Sequence, residues 1–505
     1  MGLRDYTLFD VIARNARLFR DRTALIQEGQ RVTHGEYLVR VERLAGGLAA
    51  AGMLPGDRIA VLAQNSLEFL DLYGAVARLG AILVPINWRL SADEITYVLG
   101  DAAPRIIVAG AEYQAGIAAA QAAFPFAERY YALGQPSGPF APFADLLGAG
   151  APAPAAEVSA DSGILMIHTA AVGGRPRGAL LSHGGLLAAS AQLLHYWNLG
   201  PADVNLGMLP LFHITGGGLF LAVQQAGGAT VVLPRFDPEA ALRHIQQDRV
   251  TVFGEFPPML GTLLEHAEKG GHDLSSLRAV AGLDAPDTIA RLEALCPGAR
   301  FWVGYGQSEV SGFVTMCAFR DCPGSAGWPT FLNAVSLVDD CDTPLPVGQT
   351  GEIVVRGPMV FKGYWNCAAD TALTFRNGWH HTGDLGRFDE TGCLWYAGRS
   401  PAKELIKPGG ENVYPAEVER VIVEHPAVME AVVIGVPDAQ WGEAVKAVCV
   451  CRPGQQVTAA EVIEFVGGRI ARFKKPRHVA FVAALPRTSA GAIDRQKVKD
   501  EHGTA

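Results

Sequence analysis

The chain has 505 residues, 49% hydrophobic and 18% charged, with a formal net charge of −9. That length exceeds what one hydrophobic core organises, so two or more domains are expected, and the composition excludes extensive disorder. The acidic balance excludes nucleic acid as a main partner, because no basic excess exists to neutralise phosphates.

The first residues, "MGLRDYTLFDVIARNARLF", alternate charged and apolar side chains and hold no uninterrupted apolar signal core. Thr33 and Glu36 have capping-box spacing; the helix after them carries Tyr37, Val41, Leu44 and Leu48 on one face and stops at Gly52. "GDRIAVLAQNS" reads as a buried strand and "AILVPIN" as another, with a helix between; Ser91 and Glu94 open a further helix before the strand "RIIVAG". Such alternation predicts a largely parallel sheet covered on both faces. Residues 133–160, rich in Pro, Gly and Ala, read as a surface connection. "GAGAPA" within them has dinucleotide-loop spacing but follows no strand and opens no helix, so it carries no weight.

"GILMIHTA" reads as a strand and "SHGGLLAASAQLLHYW" as a helix that Ser182 can cap. The most apolar window, "GGGLFLAVQQAGGATVVLP", is too short and too interrupted to span a bilayer. From "GEIVVRGP" to "GCLWYAGR" short β-rich runs are punctuated by Gly and Asp. Beyond Arg399 a smaller unit begins: Pro415 suits the first turn of a helix, "PAEVERVIVEH". The strands "AVVIGVP" and "AVKAVCVCRP", the helix "AAEVIEFVGGRIARF" and the strand "HVAFVAAL" follow. The fold class expected is α/β. A large N-terminal domain, 1–398, has parallel or mixed sheets layered with helices plus a β-rich subdomain; a small α+β domain, 399–505, follows. The eight cysteines form no C-x-x-C pair and join no histidine cluster, as expected of free thiols in a reducing cytosol, so a cytoplasmic location is expected.

Between strand and capped helix lie Gly173, Gly174, Arg175, Pro176, Arg177 and Gly178. Glycines let backbone N–H groups converge on an anion, and arginines add charge. No Gly-Lys dipeptide occurs anywhere, so this is not a Walker loop. On its own the stretch reads equally as a phosphate grip or as a plain turn with solvated arginines.

Further motifs follow in order: "LPLFHITGGG", "YGQSE", "GEIVVRGPMVFKGYWN", "WHHTGDLG", "GRSPAKELIKPGGENVYPAEVE" and "LPRTSAGAIDR". In order and spacing they resemble the signatures of the adenylate-forming superfamily, which includes acyl-CoA synthetases, and the resemblance covers essentially the whole chain. It implies that a carboxylate attacks the α-phosphate of ATP, and that a thiol, here coenzyme A, captures the acyl-adenylate. It also implies that the C-terminal domain is mobile. Cationic and N–H groups must then offset the charge of joining two anions.

By this resemblance, Thr169, Gly173, Gly174, Arg175, Arg177 and Gly178 hold the β- and γ-phosphates, with Arg177 also a catalytic candidate. Glu309 is the Mg²⁺ carboxylate, a hard oxygen ligand suited to that ion. Ser308 meets the α-phosphate within Gly306, Gln307 and Ser308. Tyr305 stacks on adenine, beside the turn holding Asp284 and Ala285. Asp384 takes the ribose hydroxyls with Arg399 as companion. Lys407, Gly409, Gly410 and Glu411 belong to the turn lining the pantetheine tunnel. His213, Ile214, Gly216, Gly217, Phe256, Gly282 and Phe313 gather around a compact aromatic, alicyclic or medium-chain acid; His213 stands between substrate contact and structural histidine.

Three departures stand out. Ala170, Ala171 and Val172 remove hydroxyl donors from the phosphate loop, and Arg177 replaces a lysine, so ATP binding is expected to be reshaped or weakened, not lost. The hinge segment "GRSPAKE" is longer than in the family, leaving Lys403 and Pro401 as rival pivots. The catalytic lysine position of the last motif is Ala492, with Ala490 beside Gly491: either another cation substitutes, or alanine has replaced a lysine. The chain thus reads as an AMP-forming acid–CoA ligase, with a homodimer as one option for its assembly. The alternatives are transfer to an amine or a carrier-protein thiol, or a nucleotide or acyl-CoA binder that has lost catalysis.

Overall fold

Thr33 accepts a hydrogen bond from the Glu36 N–H at 3.2 Å, while the Glu36 carboxylate accepts from the Thr33 N–H at 2.8 Å. This reciprocal cap starts the helix His34–Ala50, whose buried stripe includes Tyr37, Val41, Leu44 and Leu48. Ser91 and Glu94 form the same box on Ala92–Ala102, and Ser182 caps His183–Tyr196 by accepting from Gly185. The computed structural model of the protein describes residues 2–148, 153, 156–170, 175–399, 405–487 and 493–504. Gly173, Gly174, Pro401, Lys403, Ala490 and Ala492 lie outside them.

Two large sheets form the body. One has nine strands, parallel from Thr23–Gln27 through Arg300–Gln307, with antiparallel strands added at both edges. The other has seven strands, parallel except for the hairpin of Gly163–Ala170 and Pro176–Ser182. Helices Leu8–Leu18, His34–Ala50, Leu67–Leu79 and Ile214–Ala226 contribute to one apolar core shared by both sheets, centred on Phe69, Tyr73 and Phe220. A five-stranded antiparallel sheet carries Ala334–Val338, Thr350–Arg356 and Trp379–Phe388. The C-terminal portion holds a three-stranded sheet, Val428–Asp438, Gly442–Cys451 and His478–Phe481, with its own core around Val418, Ile422, Val433 and Val466. Pro415 opens its helix Pro415–Val423.

Two expectations need correction. Residues 133–160 are not simply a surface connection: Phe140, Phe143 and Leu146 are buried, and Ala141–Pro142 adds an edge to the seven-stranded sheet. Three apolar anchors outweigh the surrounding Gly and Pro. The anion-loop candidate is also not a strand-to-helix turn. "PRGALLS" pairs back along Gly163–Ala170, with Thr169 opposite Arg177, because Ala179 and Leu181 are buried in the shared core. Pro176, Arg177 and Gly178 of the candidate therefore belong to the returning strand of a hairpin.

Replacing Thr33 by Ala should cost about 1 kcal/mol of stability through the lost cap. A lowered urea midpoint in the first unfolding transition, without change in the C-terminal portion, is the expected result.

Candidate active site

Asp384 and Arg399 are register partners on antiparallel strands, so their side chains meet across the ladder. The Arg399 Nε donates to Asp384 Oδ1 at 2.8 Å. The Tyr305 hydroxyl donates to Oδ2 at 2.7 Å, the Tyr396 hydroxyl to Oδ1 at 3.3 Å, and the Gln307 amide also reaches Oδ2. Asp384 is 1% exposed, so without these donors its carboxylate would be stranded. The Tyr305 and Tyr396 rings stack at 6.1 Å and 25°. Burial and the neighbouring Asp384 push the Tyr305 phenol well up, which keeps it a donor.

Glu309 lies in the single-turn helix Ser308–Val310, directly after the strand that carries Tyr305. Its Oε1 accepts from the Thr169 hydroxyl at 2.8 Å and from the Tyr364 hydroxyl at 3.1 Å. The end of the strand Gly163–Ala170 and the acid thus share one hydrogen-bonded corner. Arg177 pairs with Asp370 at 2.8 Å and lies over the Tyr364 ring. Arg175 lies over Tyr97.

Glu411 links the C-terminal portion to the large one. The Asn87 amide donates to Oε2 at 2.8 Å, Arg89 pairs with Oε1, and the His213 Nε2 lies 3.2 Å from the same oxygen. Burial pushes the Glu411 carboxyl up, but His213, Arg89 and Asn87 outweigh it and bring it down to about 2. Gly409 and Gly410 have φ of 56° and 83°; a β-carbon at Gly409 would come within 2.7 Å of the Trp441 ring, and one at Gly410 within 2.9 Å of Phe256. Glycine is what lets this turn lie against the large portion.

These groups surround one cavity of about 1520 Å³. At its wall are Thr169 and Arg177, then Tyr305, Gly306, Gln307, Ser308 and Glu309, then Asp384 and Arg399. Lys407, Gly409, Gly410 and Glu411 lie at the wall beside Asp284. Of the acyl-site candidates, His213, Ile214, Phe256, Gly282 and Phe313 line it. Gly216 and Gly217 do not: β-carbons there would meet the Pro210 carbonyl at 2.2 Å and the Tyr73 hydroxyl at 2.6 Å, and Gly218 takes the wall position. Arg175, Gly178 and Ala285 also lie off the wall; the Gly178 carbonyl instead accepts from the Trp365 N–H at 2.7 Å.

Residue-by-residue reading passed over Tyr364 and Tyr396, although both sit inside runs it singled out. Asn87 and Arg89 follow the strand Ile82–Pro85 and carried no signal. Glu255 was also missed. It is register partner of Gly282, fully buried, and both its oxygens lack a hydrogen-bond partner among the described residues. Burial, then Asp284, pushes its carboxyl well up, favouring the neutral acid behind the Gly282–Asp284 turn.

Residues 12–365 match the model of the AMP-binding enzyme family, and residues 417–492 that of the AMP-binding enzyme C-terminal domain. The chain belongs to the AMP-binding enzymes. It is 36% identical over 496 residues to a feruloyl-CoA synthase of an Amycolatopsis species, covering 97% of this chain and 98% of that one. A solved structure of a proposed long-chain-fatty-acid CoA ligase from Rhodopseudomonas palustris is 56% identical, covers 79% of this chain and all of its own, and superposes with a TM-score of 0.76. The amide bond synthetase McbA of Marinactinospora thermotolerans is 28% identical, with a TM-score of 0.88 over 98% of this chain and all of its own. This AMP-binding enzyme has no helix, among the described residues, long and apolar enough to cross a membrane.

Glu411 gives a signed pH prediction. Its folded value lies below the ordinary 4.5, so its contribution to docking is complete above that pH and is lost as pH falls toward about 2. Protection of the 409–411 amides, taken relative to the intrinsic exchange rate at each pH, should be high at neutral pH and fall across that acid window; Glu411→Gln should show low protection throughout.

Proposed function

We propose that this AMP-binding enzyme is an AMP-forming ligase joining a compact apolar carboxylic acid, aromatic, alicyclic or medium-chain, to coenzyme A. The observation that carries the reading is the single cavity joining the Glu309 corner, the Asp384 cluster and the turn at Gly409–Glu411. The matching family, and full-length likeness to a feruloyl-CoA synthase, support the reaction class.

In this reading the acyl group lies among Leu193, Leu209, Ile214, Leu219, Phe256 and Phe313, a set offering burial and no charge. Its carboxylate faces Ser308 and Glu309. Tyr305 and the Gly282–Asp284 turn flank the adenine, and Asp384, preoriented by Tyr396, Gln307 and Arg399, accepts from the ribose hydroxyls. The carboxylate oxygen attacks the α-phosphorus, the bond to the β-phosphate oxygen breaks, and pyrophosphate leaves. The CoA thiol then gives up its proton to solvent, its sulfur attacks the acyl carbon, and AMP departs with the electron pair of the anhydride bond. Glu309, with one oxygen held by two hydroxyls, fits as a Mg²⁺ ligand; the ion would supply charge neutralisation for the phosphates. Residues 399–505 act as the moving portion, and Gly409, Gly410 and Glu411 deliver the wall of the thiol channel.

McbA, an amide bond synthetase, makes an amine acceptor the natural second reading. Pyrophosphate and AMP release across a panel of carboxylic acids separates the two: AMP formation should depend on CoA, whereas amine dependence would replace the thiol reading. Asp384→Asn should weaken AMP binding by about tenfold or more, as expected when a charged hydrogen-bond acceptor is lost; titration calorimetry reads it. Ala490→Lys or Ala492→Lys should raise adenylation by roughly 10²-fold, the scale of one restored electrostatic donor. Thioester formation from supplied acyl-adenylate should stay unchanged, and if neither variant speeds adenylation, another group does the work.

A further inference from the structure

We infer that Glu94 is a positioning residue for thioester formation: with Lys474 and Glu417 it forms a buried latch that holds the C-terminal portion in the arrangement seen here. The inference rests on the reading of the chain as an acid–CoA ligase. Lys474 is 3% exposed, and its Nζ lies 2.9 Å from both Glu417 oxygens, all within the C-terminal portion. Glu94, on the helix Ala92–Ala102 of the large portion, pairs with the same Nζ and accepts from the Ala471 N–H at 3.2 Å through its other oxygen. A lysine with two carboxylates is a set that only closure completes.

The desolvation logic makes it a latch. Burial opposes charge on all three groups, yet Lys474 is raised and Glu94 lowered because each faces an opposite charge. Glu417 is raised by burial and by Glu94, since one lysine must serve two acids. Exposed ion pairs contribute little, whereas breaking a buried one by removing a partner is strongly unfavourable. Glu94 is also pre-aimed: its Oε2 accepts from the Ser91 N–H at 2.7 Å, so the capping box at the start of its helix fixes its rotamer. The latch clamps the portions at a place separate from the Glu411 contact with Asn87, Arg89 and His213. Two attachment points define an orientation that one would leave free to swivel. Glu94 does not line the cavity, so its effect on chemistry passes through domain placement.

The test compares the two half-reactions in Glu94→Gln, which can keep the cap but removes the charge, and in Glu94→Asp, which keeps the charge but shortens the reach. Pyrophosphate exchange without CoA reads adenylation, and steady-state turnover reads the KM for CoA. Deuterium uptake at the Ala471 amide reads the latch without any activity. Glu94→Gln should lower kcat/KM for CoA by about tenfold while leaving pyrophosphate exchange within about twofold, the asymmetry expected of a contact made in one arrangement only. Ala471 should exchange faster, with Glu94→Asp intermediate. Equal loss in both half-reactions, an unchanged kcat/KM for CoA, or unchanged Ala471 uptake overturns the latch. If the native chain activates no acid, the ligase reading fails instead, and Ala471 uptake still decides the latch.

Discussion

The structure of this enzyme depends on holding buried carboxylates in fixed orientation at the wall of one cavity. Asp384 and Glu309 are nearly inaccessible, and each is held by hydroxyl or guanidinium donors whose own positions come from strands. Buried charge is tolerated only where such donors surround it. The cross-strand register of Asp384 with Arg399 and the placement of Glu309 directly after Arg300–Gln307 are thus more than decoration of a scaffold. They let two acidic groups stand at one cavity wall with donors on their oxygens.

The same logic recurs where the two portions meet. Glu411 and Glu94 sit on opposite sides of that boundary, one in the C-terminal turn and one on a helix of the large portion. Each is drawn to the other portion by cations or donors there: Glu411 by Arg89, His213 and Asn87, Glu94 by Lys474 and the Ala471 amide. Carboxylates therefore both line the cavity and join the two portions.

Around Thr169, side chains from four separate segments meet. Alanines and a valine follow Thr169, yet Thr169 retains its hydroxyl and spends it on Glu309. Arg177, opposite Thr169 across the hairpin, is paired with Asp370 and lies over Tyr364. Tyr364 closes the circuit by donating to Glu309. The corner is thus one network of hydroxyl, carboxylate, ring and guanidinium drawn from segments far apart in the chain.

Local patterns in the sequence determined what local physics controls. The capping boxes at Thr33–Glu36 and Ser91–Glu94 start helices as their spacing dictates, because a cap is satisfied within four residues. The strand–helix alternation, the β-rich interval and the helix opened at Pro415 are likewise written in short-range periodicity. The order of motifs carries the family and, with it, Glu309, Asp384 and Tyr305. Only tertiary structure decided what lies between distant segments. It placed Gly218 rather than Gly216 or Gly217 at the cavity wall, paired Pro176–Ser182 back along Gly163–Ala170, buried Phe140, Phe143 and Leu146, and joined Glu94 to Lys474 across 380 positions. Those outcomes depend on which surfaces exclude water together, and no window of neighbouring residues contains that information.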